Sequence, residues 1–195
     1  MKTGVHMKTD KLPELVKTMR ALTNNEVLVG FPEDTTARDA SAEEPEGITN
    51  AALAYIHDRG APERNIPARP FMIPGIESAS GPAADTLLKI ARDSLAKASV
   101  ASVDAGLHRV GLKIQAAMRR KLNEGIPPPL SDRTLRARAN RGGKGLGSRK
   151  GAKLELELRA AGWAPSVDFA KPLIDTGQLR NAINYVIRPR KARKK

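Results

Sequence analysis

Val103-Asp104-Ala105-Gly106-Leu107-His108-Arg109-Val110-Gly111-Leu112-Lys113-Ile114-Gln115-Ala116-Ala117-Met118-Arg119-Arg120-Lys121-Leu122 is the most regular stretch of this chain. Val103, Leu107, Val110, Ile114, Met118 and Leu122 recur in steps of three and four, the period of an α-helix that buries one face. The opposite face carries Arg109, Lys113, Arg119 and Lys121. Such a face is ordinarily just solvated, with direct nucleic-acid contact as the sharper alternative. A stripe this long has to be covered, and the flanking sequence supplies candidates. Upstream, Ser80-Gly81-Pro82 opens a second helix on which Leu87, Leu88, Ala91, Leu95 and Ala98 share a face. Downstream, Gly125-Ile126-Pro127-Pro128-Pro129 stops the long helix, because prolines remove donors and force extended geometry. A basic loop rich in glycine and proline then occupies 125–152. Residues 153–161 are ambiguous: Leu154, Leu156 and Leu158 alternate like a strand, yet the Ala160-Ala161-Gly162 ending favours a short helix closed by glycine. The helix is the reading adopted.

Further out, 2–8 places Val5 and Met7 at a period of two, a weak edge-strand signal. Asp10 stands as an N-cap before Leu12, Leu15, Val16, Met19 and Leu22, with Pro13 tolerated in the first turn. Residues 26–31 read as a strand and 33–46 as an acidic loop. A short helix over 48–59 starts near Thr49 or Asn50 and ends before Gly60. The last element begins at Asp175 and finishes as a strand at 184–188. Short strands among long helices give an α+β class: a small, mainly antiparallel sheet packed on one face by two or more helices, with long irregular loops. The halves of the sheet lie far apart in sequence. One domain spans 1–188, followed by a basic tail at 189–195.

Composition narrows the chemistry. The 195 residues contain no cysteine, which excludes disulfides, thiolate zinc ligands and a cysteine nucleophile, and fits synthesis in a reducing cytoplasm. No apolar run approaches the roughly 20 residues of a membrane span and no signal-peptide core is readable, so no membrane association is expected. Aromatic residues make up only 3%, leaving Leu, Ile, Val, Ala and Met to build the core. The net charge of +13 points to an anionic partner, either nucleic acid or acidic protein surface. Arg136, Arg138, Arg141 and Lys144, with Arg190, Lys191 and Arg193 in the tail, are the candidates for that contact. Glu33, Asp34, Asp39, Glu43, Glu44 and Glu46 oppose them, so copies of the chain could meet head to side.

Catalytic motifs are weak. His6, His57 and His108 are too scattered for a local metal site, and His57-Asp58 reads best as a helix-end histidine beside a solvated carboxylate. Gly142-Gly143-Lys144-Gly145-Leu146-Gly147-Ser148 departs from the phosphate-loop spacing and follows no convincing strand. Neither cofactor nor metal is expected.

Two segments have more definite character. In Ile66-Pro67-Ala68-Arg69-Pro70-Phe71-Met72 the prolines fix their own φ and push Ile66 and Arg69 into extended geometry, making a stiff ridge or edge. That ridge either docks onto a partner, with Phe71 as anchor and Arg69 available for pairing, or connects two helices with Phe71 in its own core. In Pro172-Leu173-Ile174-Asp175-Thr176-Gly177-Gln178-Leu179, Asp175 or Thr176 can cap a short helix whose apolar side is Leu179, Ala182 and Ile183.

The order of these segments resembles a known family, the tail-completion or virion-morphogenesis proteins in the neck of long-tailed and Mu-like phages. The likeness rests on Val27-Leu28-Val29-Gly30, a helix ending in glycine, the Ile-Pro-x-Arg-Pro-Phe block at 66–71, Pro129-Leu130-Ser131 with its arginine-rich continuation, and the Pro-Leu-x-Asp-Thr-Gly-x-Leu block at 172–179. His57-Asp58-Arg59-Gly60-Ala61 departs from the family, where an acidic residue or Asn, then Phe, Gly and Thr, often precedes the ridge. The resemblance implies a non-enzymatic virion subunit, made in the host cytoplasm and placed at the head–tail neck. It further implies a homo-oligomeric ring around the DNA channel, with sixfold symmetry the leading expectation, in contact with other neck, connector or tail proteins. Its station could be tail completion, termination or a connector adaptor. Ile66, Pro67, Arg69, Pro70, Phe71, Asp175, Thr176 and Leu179 become the expected assembly residues. The rivals are a basic nucleic-acid-binding protein without catalysis and, less favoured, a nuclease-like enzyme.

Overall fold

The computed structural model describes residues 10–32, 48–141 and 148–190. The edge strand expected at 2–8, the acidic segment 33–46 and the glycine-rich run 142–147 therefore fall outside the described residues, or nearly so, as does the tail from 191.

Helix α1, Leu12–Asn24, opens where Asp10 Oδ1 accepts a hydrogen bond from the Leu12 amide at 2.9 Å. It feeds directly into strand β1, Asn25–Gly30. Helix α2, Asn50–Arg59, is capped by Thr49, whose side chain accepts from the Ala52 amide, and ends at Gly60 with φ +80°. Then come α3, Met72–Lys97, α4, Val100–Asn123, α5, Asp132–Asn140, α6, Ser148–Ala160, and α7, Gln178–Ala182. Strand β2, Asn184–Pro189, returns to pair antiparallel with β1, from Asn25↔Pro189 to Gly30↔Asn184. The opposed residues Glu26 and Arg188 are also joined by an ion pair of 2.9 Å across the ladder. Among the described residues the chain is thus rich in helix with one two-stranded antiparallel sheet, whose strands lie far apart in the sequence as expected.

Helices α3 and α4 form an antiparallel pair at the centre of the molecule. Their approach is set by glycine. A Cβ on Gly75 would stand 2.8 Å from Met118 Cα, and one on Gly106 would stand 2.4 Å from Ile90 Cγ2. A third, on Gly111, would meet the Tyr185 ring of β2 at 2.2 Å, so the same helix also seats the sheet. The stripe read from the sequence is buried here: Val103, Leu107, Val110, Met118 and Leu122 are inside, and Ile114 packs at the margin of their cluster. Phe71, Met118, Leu122, Leu179, Ile183 and Ala54 form the main core, with Phe31 meeting Phe71 edge-on at a ring separation of 6.3 Å.

Three expectations are corrected. First, α3 begins at Met72 and not at Ser80, carrying Pro82 in its interior. Proline is tolerated because Pro82 and the Ser78 whose carbonyl loses its partner are both on the exposed side, and Gly81 ahead of it has no Cβ to crowd the ring. Second, the buried face of α3 is Gly75, Ala79, Ala83, Ile90 and Ser94, while Leu87 and Leu88 are 40% and 59% exposed. Close approach to α4 selects small residues, so the phase of the helix follows them and not the leucines. Third, the stretch expected to be a loop over 125–152 contains α5 and the start of α6. Ser131 caps α5 by accepting from the Thr134 amide, and Leu135 and Ala139 pack one turn apart against Ala152. The ambiguous 153–161 segment is helical, with Gly162 at φ +89° just past its end.

Gly75→Ala should lower stability by about 1–3 kcal/mol despite the better helix propensity of alanine, because the atom it meets is backbone and cannot turn away. Urea unfolding of the subunit measures it, and an unchanged midpoint would mean that α3 and α4 are not in contact there.

Candidate assembly ridge and basic hairpin

The ridge is built on the end of α2. Gly60 lies so close to the following strand-like segment that a Cβ there would come within 2.7 Å of the Ala68 amide nitrogen. A small bridge closes behind it: the Ala61 amide donates to the Ile66 carbonyl at 2.8 Å and the reverse bond measures 3.0 Å, with Asn65 in the left-handed region turning the chain between them. The carboxylate of Asp58 is buried, and its Oδ1 accepts from the amides of both Phe71 (2.9 Å) and Met72 (3.0 Å). It satisfies two of the free N–H groups at the start of α3, so it is a buried anchor and not the solvated carboxylate that the sequence suggested.

Arg69 turns inward as well. Its amide donates to the His57 carbonyl, and its Nε and Nη2 donate to the Pro128 carbonyl at 3.2 and 2.7 Å. Burial, with the Arg138 guanidinium nearby, pulls the Arg69 pKa below the ordinary guanidinium value. Phe71 is fully buried. Of the residues expected at an assembly surface, Pro67 and Pro70 present themselves to solvent, together with Ala68; Ile66 is half-buried, and Arg69 and Phe71 serve the interior. The correction has a geometric cause. Two prolines three positions apart present one side of the ridge outward, and the intervening Arg69 is tied from both backbone and side chain.

The second block behaves similarly. Leu173 adopts φ +55°, which bends the chain so that the carbonyls of Lys171 and Ile174 both receive the Arg138 Nη1 at 2.9 Å. Asp175, just ahead of α7, pairs with Arg141 and lies 3.9 Å from Arg138 Nε. The residue at the cap position is Gly177, and the Thr176 hydroxyl accepts only a long 3.4 Å bond from the Gln178 amide. Leu179 is buried in the main core. Arg138 is held inside, its pKa lowered chiefly by desolvation and raised in part by Asp175.

The cations expected to contact an anion thus separate. Arg138 is buried, and Arg141 is paired. Arg136 and Arg190 are exposed, and Lys144, Lys191 and Arg193 lie outside the described residues. On α4, Arg119 donates to the Ile183 carbonyl at 2.7 Å, Lys121 pairs with Glu124 and Lys113 donates to Thr86.

Sequence reasoning missed Glu155 and Arg159. The buried Glu155 accepts from Arg159 and from the Ser166 amide, while Arg159 also reaches Asp132 at 2.7 Å and the Leu130 carbonyl. The i,i+4 spacing of this pair was the available signal. Gln115, donating to the Ile183 carbonyl at 2.7 Å, had none.

No group of three or more His, Cys, Asp or Glu that could hold a metal ion occurs among the described residues, and no described helix is long and apolar enough to cross a membrane. No family model, curated protein or solved structure matches the chain.

Removing Arg69 tests this placement. Arg69→Ala should destabilise the subunit by about 2–3 kcal/mol, since it breaks charged hydrogen bonds and strands the Pro128 carbonyl, whereas Arg136→Ala should change stability by no more than about 0.5 kcal/mol. Thermal or denaturant unfolding of both variants compares them; equal melting would return Arg69 to the surface.

Proposed function

We propose that this chain is a structural subunit of a tailed-phage neck, acting without catalysis in tail completion and head–tail joining as a ring around the DNA channel. The observation that carries the reading is the convergence of the blocks on which the resemblance rests. Phe71 from the ridge and Leu179 from the C-terminal block share one core cluster, against which Val29, Leu173 and Ile174 pack. Arg69 reaches the Pro128 carbonyl beside the Pro129-Leu130-Ser131 segment, and Arg138, in the arginine-rich run that follows, holds the C-terminal block. Blocks spread over most of the sequence therefore specify a single architecture and not separate sites. In this reading the finer fold is a small sheet covered on one face by helices, and ring neighbours meet through the exposed side of the ridge at Pro67, Ala68 and Pro70, with sixfold symmetry favoured. A second reading, a basic nucleic-acid-binding protein without catalysis, draws on the exposed cations of α5 and α6.

Electron microscopy of the purified protein and of intact particles tests the first reading. Rings should form, alone or with a neck partner, and Ala68→Glu should leave melting unchanged while complementation of a phage lacking the protein yields separated heads and tails. A strict monomer in solution that is also absent from purified virions would sink the proposal.

A further inference from the structure

We infer that the α5–α6 hairpin carries, on its side away from the rest of the subunit, a surface for the phosphate backbone of double-stranded DNA. The two helices are antiparallel: Arg159, near the end of α6, pairs with Asp132 at the start of α5, and Leu135 and Ala139 pack on Ala152 and Leu156. Successive residues of an α-helix turn by about 100°. Taking the packed line through Leu135 and Ala139 as the inner edge of α5, Arg138 falls on one flank, and there it binds the carbonyls of Lys171 and Ile174. Taking Ala152 and Leu156 as the inner edge of α6, Glu155 falls on the same flank, and there it accepts from the Ser166 amide. The chain from 166 to 175 thus covers that side.

The same phase puts Arg133 and Arg136 of α5 on the opposite flank, and because the helices run in opposite directions Arg149, Lys150 and Lys153 of α6 turn to it too. All five are exposed, and none takes part in an ion pair among the described residues. The carboxylates on these two helices that share this flank are Glu157, which is exposed, and Asp132, which is engaged by Arg159. Arg149 and Lys153 stand one turn apart, about 6 Å along the axis.

Two kinds of anion could sit here, and the composition of the face distinguishes them. A protein partner requires a desolvated core, and interface cores are depleted in lysine and enriched in apolar and aromatic residues. This flank offers Asn140, Glu157 and the small, exposed Ala160 among its five cations, with the partly exposed Leu154 at its outer edge, so charge outweighs apolar surface on it. A polyelectrolyte requires only charge density, because binding is driven by counterion release and carries no sequence information. DNA is the occupant that fits. The inference needs α5 and α6 alone, so ring formation could fail and leave it intact.

The test uses the full chain and a labelled random-sequence duplex of about 30 base pairs, with binding followed by anisotropy across a salt series. Each phosphate neutralised contributes about −0.9 to the slope of log Kobs against log salt. The triple variant Arg136→Gln, Arg149→Gln, Lys153→Gln should therefore flatten the slope by about 2–3 and weaken binding at least tenfold at low salt, with circular dichroism and melting unchanged. A control removing the same charge elsewhere, Arg92→Gln, Arg109→Gln, Arg120→Gln, should keep the wild-type slope. A wild-type slope in the first triple, or equal flattening in both, overturns the assignment. So does competition by polyglutamate as effective as that by DNA of equal charge, which would make the face a site for acidic protein.

Discussion

One buried carboxylate oxygen holds the turn on which the architecture depends. Asp58 Oδ1 accepts from the amides of Phe71 and Met72. That pair of bonds joins the end of α2 to the first turn of α3 across the proline ridge, and aims Phe71 into the main core. An unpaired buried N–H costs on the order of 1–3 kcal/mol, so loss of the carboxylate would strand two such groups at the position where α3 must start. With Phe71 fixed, Leu179 and Ile183 have a surface to pack on, and their burial in turn brings β2 alongside β1.

Arginine does much of the remaining structural work, through carbonyl oxygens more often than through carboxylates. Arg69, Arg119, Arg138 and Arg159 each donate to backbone carbonyls in irregular segments or at the ends of elements. A guanidinium offers several donors in a rigid plane, so one side chain can satisfy two carbonyls that no helix or sheet reaches. In a chain with few aromatics and no disulfide, this is how the connections between α4, α5 and the C-terminal block are fastened. It also means that formal charge overstates what the surface offers to a partner.

The regular parts of this fold were legible in the sequence. The α4 stripe, a helix start near Thr49 or Asn50, Gly60 just past the end of α2 and two strands far apart in sequence follow from periodicity and local turn and cap chemistry. What was not legible follows from contacts made at long range. The face of α3 is set by Gly75, Ala79 and Ala83, small residues that allow close approach and that hydrophobicity alone ranks below Leu87 and Leu88. Helix α5 was hidden because only Leu135 and Ala139 are buried apolar residues in an otherwise basic stretch, although Ser131 gave a usable cap signal. Asp175 has the chemistry of a cap, but its contacts with Arg138 and Arg141 come from another element and leave no local signal. At the ridge, the stiffness of 66–72 was readable, whereas the inward turn of Arg69 depends on a carbonyl in a distant proline segment.

The pairing of β1 with β2 has a consequence for the order in which the molecule is made. The antiparallel α3–α4 pair joins neighbours in the sequence and needs only a short connection to close, so its contacts become available while synthesis is still under way. Strand β1 emerges before them yet finds its partner only after Asn184–Pro189 has left the ribosome. Until then both edges of β1, and the side chains of Val27 and Leu28, stay open to whatever is nearby. The nascent subunit therefore passes through a window in which its first strand is unmatched, and emergence of β2 is the event that ends it.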